Sequence, residues 1–134
     1  MELVIDANEV ISALISSSGK IAEMIFSDKL KLYAPEFLLE EINKYGGVIL
    51  EKSRLSKEEL NILLSLISLQ IEFFPFSEFE DFEEEASKIC PDPKDIEYFA
   101  LALKLDCSLW SEDKLLKKQN RVKVLTTLEL LNLL

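Results

Sequence analysis

The chain contains no histidine. That absence removes the commonest general base and most nucleophile-activating dyads, so Ser-His-Asp and Cys-His chemistry are excluded by composition. Cysteine is almost as scarce. Cys90 and Cys107 are isolated and form no Cys-x-x-Cys, and without histidine they make a zinc site unexpected. Their expected state is that of buried, reduced thiols. Long apolar runs are missing as well, none approaching the ~20 residues of a membrane span. Met1-Glu2 offers no basic start and Asp6 interrupts the first apolar stretch, so no signal peptide is read there. The expected location is the cytoplasm, with no membrane partner. Positive charge is the last deficit. Fifteen basic residues face twenty-five acidic ones, a formal charge of −10. Such a balance argues against a broad phosphate-binding surface. It leaves room for a basic protein partner, and for a site where bound metal ions invert the local field.

What is present is a well-patterned apolar sequence. Hydrophobic residues make up 49% of 134 positions, which excludes a disordered chain and suits one domain spanning 1–134. No linker, low-complexity tract or repeat divides it. Leu3–Ile5 reads as a buried strand, and Asn8–Ile15 as a helix with Val10, Ile11, Leu14 and Ile15 on one face. Ser16–Gly19 is a loop, Ile21–Phe26 a helix and Leu30–Ala34 a strand. Pro35 suits the first turn of a helix carrying Phe37, Leu38, Glu41 and Ile42, which Gly46-Gly47 weakens or kinks. Ser56-x-x-Glu59 is a capping box before Leu60, Leu63, Leu64 and Ile67. Ile71–Phe74 reads as strand, and Ser77-x-x-Glu80 as the opening of an acidic helix to Ile89. Cys90-Pro91-Asp92-Pro93 breaks the chain. A helix then starts at Asp95, followed by strand Cys107–Trp110, a short helix Glu112–Lys118 and strand Val122–Leu125. Thr126-x-x-Glu129 caps a last, leucine-rich helix. Strands alternating with helices predict a three-layer α/β/α sandwich around a parallel, roughly five-stranded sheet.

Four carboxylates stand out against this frame. Asp6 closes the first strand and Asp113 follows the fourth, where open α/β sheets hold their ligands. Glu41 lies one and a half turns into a helix that starts at the same edge. Asp95 opens the helix before the fourth strand, so its convergence with the others rests on the tertiary fold. Acids gathered at one point raise each other's pKa unless a cation is present, and hard divalent ions with carboxylate and water ligands are the usual answer.

These segments resemble the PIN-domain family, which includes the toxin half of many prokaryotic toxin–antitoxin pairs. Leu3-Val4-Ile5-Asp6-Ala7-Asn8 is similar to the family's opening strand and Asp-Thr/Ala-Asn step. Ala34-Pro35-Glu36-Phe37-Leu38-Leu39-Glu40-Glu41-Ile42 is similar to its strand–turn–helix with one important Glu. Asp95-Ile96-Glu97-Tyr98-Phe99-Ala100-Leu101-Ala102 matches its D-x(4)-A-x-A helix. Leu109-Trp110-Ser111-Glu112-Asp113 stands at its apolar-T-x-D step, with Ser for the commoner Thr. The resemblance covers essentially the whole chain. It implies a PIN-like sandwich and metal-dependent hydrolysis of phosphodiester bonds, usually in RNA, with Mg²⁺ or Mn²⁺. It further implies Asp6, Glu41, Asp95 and Asp113 as catalytic metal ligands, a homodimer, and an antitoxin partner. Glu41 is preferred because it stands six residues after Pro35 and before Ile42; Glu40 is the alternative.

Other residues keep two readings. Asn8 orients Asp6 or caps the following helix. Ser111 supports a ligand carboxylate or the phosphate, or is a plain turn hydroxyl. Asp92 is expected to stabilise the Pro-Asp-Pro turn rather than join the acids, Glu97 to face solvent, and Trp110 to fill the core. Lys94, Lys114 and Lys117 hold the RNA backbone or simply solubilise. Phe73, Phe74, Phe76, Phe79 and Phe82 are core in the main, or line a dimer or antitoxin groove. The expected chemistry is attack by a water activated by one or two ions.

Two metal-binding sandwiches of similar size fail on residues. A receiver domain needs an Asp after the third strand, where Phe74-Pro75-Phe76 stands. A haloacid-dehalogenase-type phosphatase needs Asp-x-Asp, where Asp6-Ala7-Asn8 stands. The rival from another class is a catalytically inactive PIN-like module that binds a partner or regulates it; the presence of all four acids disfavours it.

Overall fold

The computed structural model describes residues Met1–Leu134. Five strands alternate with eight helices: β1 (Glu2–Ile5), α1 (Ala7–Ile15), α2 (Lys20–Ile25), β2 (Lys31–Pro35), α3 (Phe37–Lys44), α4 (Gly46–Ser53), α5 (Lys57–Ser68), β3 (Ile71–Phe74), α6 (Glu83–Ile89), α7 (Ile96–Leu105), β4 (Ser108–Trp110), β5 (Val124–Leu125) and α8 (Thr127–Leu133). All strands pair in parallel, in the order β3-β2-β1-β4-β5. The expected three-layer sandwich with a five-stranded parallel sheet is the architecture observed.

The order explains where a site can form. From β1 the chain moves outward to β2 and β3, then returns past β1 to β4 and continues to β5. Right-handed crossovers therefore place α1–α5 on one face and α6–α7 on the other. The direction reverses between β1 and β4. Such a switch point opens a crevice beyond the strand C-termini, because the connections leave to opposite sides.

The core sits against β1. Leu3, Val4 and Ile5 are wholly buried, as are Phe99, Ala100 and Leu101 of α7, and α7 packs across β1, β2 and β4. A strand covered on both faces needs such an unbroken apolar run. Trp110 is buried as expected, its Nε1–H donating to Thr127 Oγ1 at 3.0 Å. Both capping boxes form, Ser56 with Glu59 and Thr126 with Glu129.

Several local expectations change. Pro35 is not the start of a helix; it is the buried last residue of β2, paired with Phe74, where its missing N–H is tolerated because the strand ends. The helix is interrupted at Tyr45, between α3 and α4, and Gly46-Gly47 are the first residues of α4. The single acidic helix from Ser77 is replaced by two 3₁₀ turns, Phe76–Glu78 and Glu80–Phe82, before α6. Phe76, Phe79 and Phe82 recur every third residue, which matches three residues per turn. Phe79 is fully buried and meets the Phe76 ring edge-on at 5.4 Å. Glu112–Lys118 narrows to a 3₁₀ turn over Lys114–Lys117, and the fifth strand to Val124–Leu125. Cys90 and Cys107 are free but only half-buried, and burial pushes both thiols up to about 11.

Candidate metal centre

The crevice between β1 and β4 gathers the acids. Asp6 follows β1 and is almost wholly buried, at 4% exposure. Its backbone N–H donates to Trp110 O at 3.1 Å, which fastens it to the neighbouring strand. One carboxylate oxygen accepts the Ser111 hydroxyl at 2.8 Å, and the other the Asn8 N–H at 3.4 Å. Burial raises its pKa. Those two hydrogen bonds oppose the rise, and the Asp113 charge adds to it.

Ser111 is the hinge pin of the next segment. It is fully buried, gives its proton to Asp6, and accepts the Asp113 N–H at 3.1 Å. Asp113 in turn caps the following turn through the Leu115 N–H at 3.0 Å. Ser111 thus supports a carboxylate and is no mere turn hydroxyl. Asn8 acts through its backbone on Asp6, while its residue faces solvent.

Asp95 reaches the same place by topology. A helix that precedes a parallel strand must start at the C-terminal edge of the sheet, so the α7 N-terminus lies over the crevice. Carboxylate oxygens of Asp92, Asp95 and Asp113 lie within 4.8 Å of one another. Asp95 is pushed up to about 7, by burial first and then by the charges of Asp6, Asp92, Glu41 and Asp113. Asp92 has more than a turn to hold. It does accept the Lys94 N–H at 3.0 Å, and it also belongs to the cluster.

Glu41 comes from α3, on the far side of β1. It is half-buried and accepts the Tyr98 hydroxyl at 2.5 Å, while Glu40 is exposed. Burial raises its carboxyl, the Tyr98 hydrogen bond lowers it, and the charge of Asp6 raises it again. Asp6 and Glu41 therefore feel and reinforce the charge of the cluster, although the three closest ligand atoms are those of Asp92, Asp95 and Asp113.

Glu9 is the buried acid that sequence reasoning passed over. It is 1% exposed, with one oxygen accepting the Glu112 N–H at 2.9 Å and the other unpartnered. Burial pushes it up to about 8, helped by the charges of Glu112 and Asp6. An acid in the first turn of a helix reads as a dipole partner, which hid it; the only signal was its position three residues after Asp6. Glu97 is not fully solvated either. It is half-buried beside Glu36, Glu40 and Glu83, outside the cluster. Lys117 is committed to Glu129.

No site acid takes part in any of the four ion pairs. Three oxygen donors without a counter-cation suit a hard divalent ion. Oxygens within 4.8 Å of one another are near enough to converge on one such ion after moving inward. The residues present therefore fit a hard divalent cation.

The PIN domain model matches residues 4–131, which includes every one of these acids. The chain belongs to the PIN-domain family. No curated protein matches it by sequence. Among solved structures, a chain of VapBC2 from Rickettsia felis, bound to a DNA fragment from their promoter, shares the fold. The TM-score is 0.66 at 13% identity, over 94% of this chain and 98% of that one. No helix of this PIN-domain protein is long and apolar enough to cross a membrane.

Proposed function

We propose that this PIN-domain protein is a Mg²⁺- or Mn²⁺-dependent endoribonuclease, acting as the toxin of a toxin–antitoxin pair. The observation that carries the reading is the cluster of Asp92, Asp95 and Asp113 over buried Asp6, uncompensated by any cation. Such a cluster is costly to the folded protein unless an ion occupies it.

In this reading Asp6, Glu41, Asp95 and Asp113 are the ligands, and Asp92, whose carboxylate lies beside those of Asp95 and Asp113, is a further donor. When bound, the metal supplies Lewis acidity toward the phosphate and lowers the pKa of a water. The chain's own part is positional. Ser111 fixes Asp6 and the Asp113 backbone in one geometry, and Tyr98 does the same for Glu41. No side chain need serve as nucleophile, which agrees with a protein lacking histidine.

A partner protein belongs to the same proposal. The VapBC2 assembly carries its chains on promoter DNA, and we infer an antitoxin partner here, with a homodimer as the assembled form. An exposed stripe formed by Ile62 and Leu66 of α5 and Leu69 just beyond it is the kind of surface such contacts cover.

The test is cleavage of a mixed RNA pool with Mn²⁺ or Mg²⁺, comparing wild type, Asp95→Asn and an EDTA control. Cutting by metal-loaded wild type alone supports the proposal. Equal cutting by both proteins, or none, replaces it with an inactive partner-binding module.

A further inference from the structure

A cleft of ≈ 240 Å³ opens beside Glu41, lined by Phe37, Glu40, Glu41, Lys44, Tyr45 and Lys94. Two lysines there face the two carboxylates Glu40 and Glu41. Lys44 and Lys94 enter none of the ion pairs in the structure, and both charges act on Glu41. Tyr45 is 41% exposed, with Lys44 Nζ 5.6 Å from its ring centroid. Phe37 is partly buried and packs against the core. The cleft thus offers two lysines outside any ion pair and a partly exposed aromatic ring, beside a site acid.

On the other side of Phe37 the surface has the opposite character. A groove there is lined by Glu36, Glu40, Glu83 and Glu97, with Phe37 and Phe76. Four carboxylates repel a phosphate backbone. A strand seated on the metal centre is therefore driven toward the lysine side.

We propose that this cleft is the subsite for the nucleotide adjacent to the scissile bond of a single-stranded RNA. Tyr45 stacks on the base, and Lys44 and Lys94 hold flanking phosphates. The inference rests on the ribonuclease reading above. Stacking on a side chain needs an unpaired base, so the subsite selects single strands and rejects duplex.

The test uses the full chain carrying Asp95→Asn, which leaves the oligonucleotide intact, and follows the anisotropy of a labelled single-stranded oligoribonucleotide. Adding Tyr45→Ala is expected to weaken binding about 5-fold or more, and Tyr45→Phe to restore it. Lys44→Gln with Lys94→Gln is expected to reduce the slope of log affinity against log salt by about 0.7 for each lost phosphate contact. A duplex of the same sequence is expected to bind more weakly. Unchanged affinity and slope in these variants, while wild type still cuts RNA, overturns the subsite and leaves the nuclease reading standing. Absence of both oligonucleotide binding and wild-type cleavage overturns the two together.

Discussion

The Ser111 hydroxyl donates to the Asp6 carboxylate at 2.8 Å across 105 residues of sequence, and accepts the Asp113 N–H at 3.1 Å. One buried oxygen thereby joins the ends of β1 and β4. Removing it by Ser111→Ala leaves a buried acceptor and a part-buried donor unsatisfied, at a cost of about 1–3 kcal/mol. Supporting groups of this kind typically cost 10–100-fold in metal affinity. We expect both losses from Ser111→Ala, and near-complete recovery with Ser111→Thr, which keeps the hydroxyl. Thermal unfolding in EDTA measures the first and Mn²⁺ titration calorimetry the second.

Glu40 and Glu41 are neighbours in sequence with different surroundings. Glu41 is half-buried and held by Tyr98, while Glu40 is exposed. Glu41→Gln is expected to reduce cleavage at least 10-fold and Glu40→Gln to leave it within about 2-fold, since only the first removes a positioned acid. Tyr98→Phe should fall between them. Steady-state rates on one RNA substrate decide the order, and equal effects of the two glutamine variants would contradict it.

Glu9 makes stability depend on pH. Its folded pKa, about 8, lies above the ordinary 4.5, so between those values the folded state holds a proton that the unfolded state releases. Its contribution is therefore present below pH 4.5 and is lost as pH rises through 8. In EDTA the melting temperature should fall as pH is raised from 5 to 8.5. Glu9→Gln, which keeps an oxygen for the Glu112 N–H, should flatten that fall. A wild-type curve that rises over this range would refute the assignment.

The phenylalanine cluster separates core from surface. Phe79 is fully buried and Phe76 is 39% exposed. Phe79→Ala is expected to cost about 3–5 kcal/mol, and Phe76→Ala less than about 1 kcal/mol. Urea unfolding at constant m-value gives both numbers.

These contrasts show which levels of structure a sequence reports. Capping boxes are local, and Ser56/Glu59 and Thr126/Glu129 formed as written because each needs only one turn of chain. Ser77-x-x-Glu80 has the same letters, yet its backbone folds as 3₁₀ turns because burying Phe79 decides the geometry from outside the segment. Asp6 and Asp113 were legible as acids at strand ends on one sheet edge, whereas Asp95 stood out through the family resemblance and its convergence came from the tertiary fold. Asp92 and Glu9 were not legible. Asp92 looked like a turn residue and is one, and nothing local tells that its carboxylate also faces Asp95 and Asp113. Glu9 is buried by the loop after β4, more than a hundred residues away.

The most direct test of the metal centre is calorimetric titration of Mn²⁺ into the metal-free protein, with thermal unfolding read alongside. Wild type should bind at least one ion and gain about 2.7 kcal/mol of stability at a free concentration one hundred times the Kd. The double variant Asp95→Asn, Asp113→Asn should show neither heat nor stabilisation while remaining folded. A wild-type protein whose melting temperature is unmoved by millimolar Mn²⁺ or Mg²⁺, with no binding heat, would contradict the account.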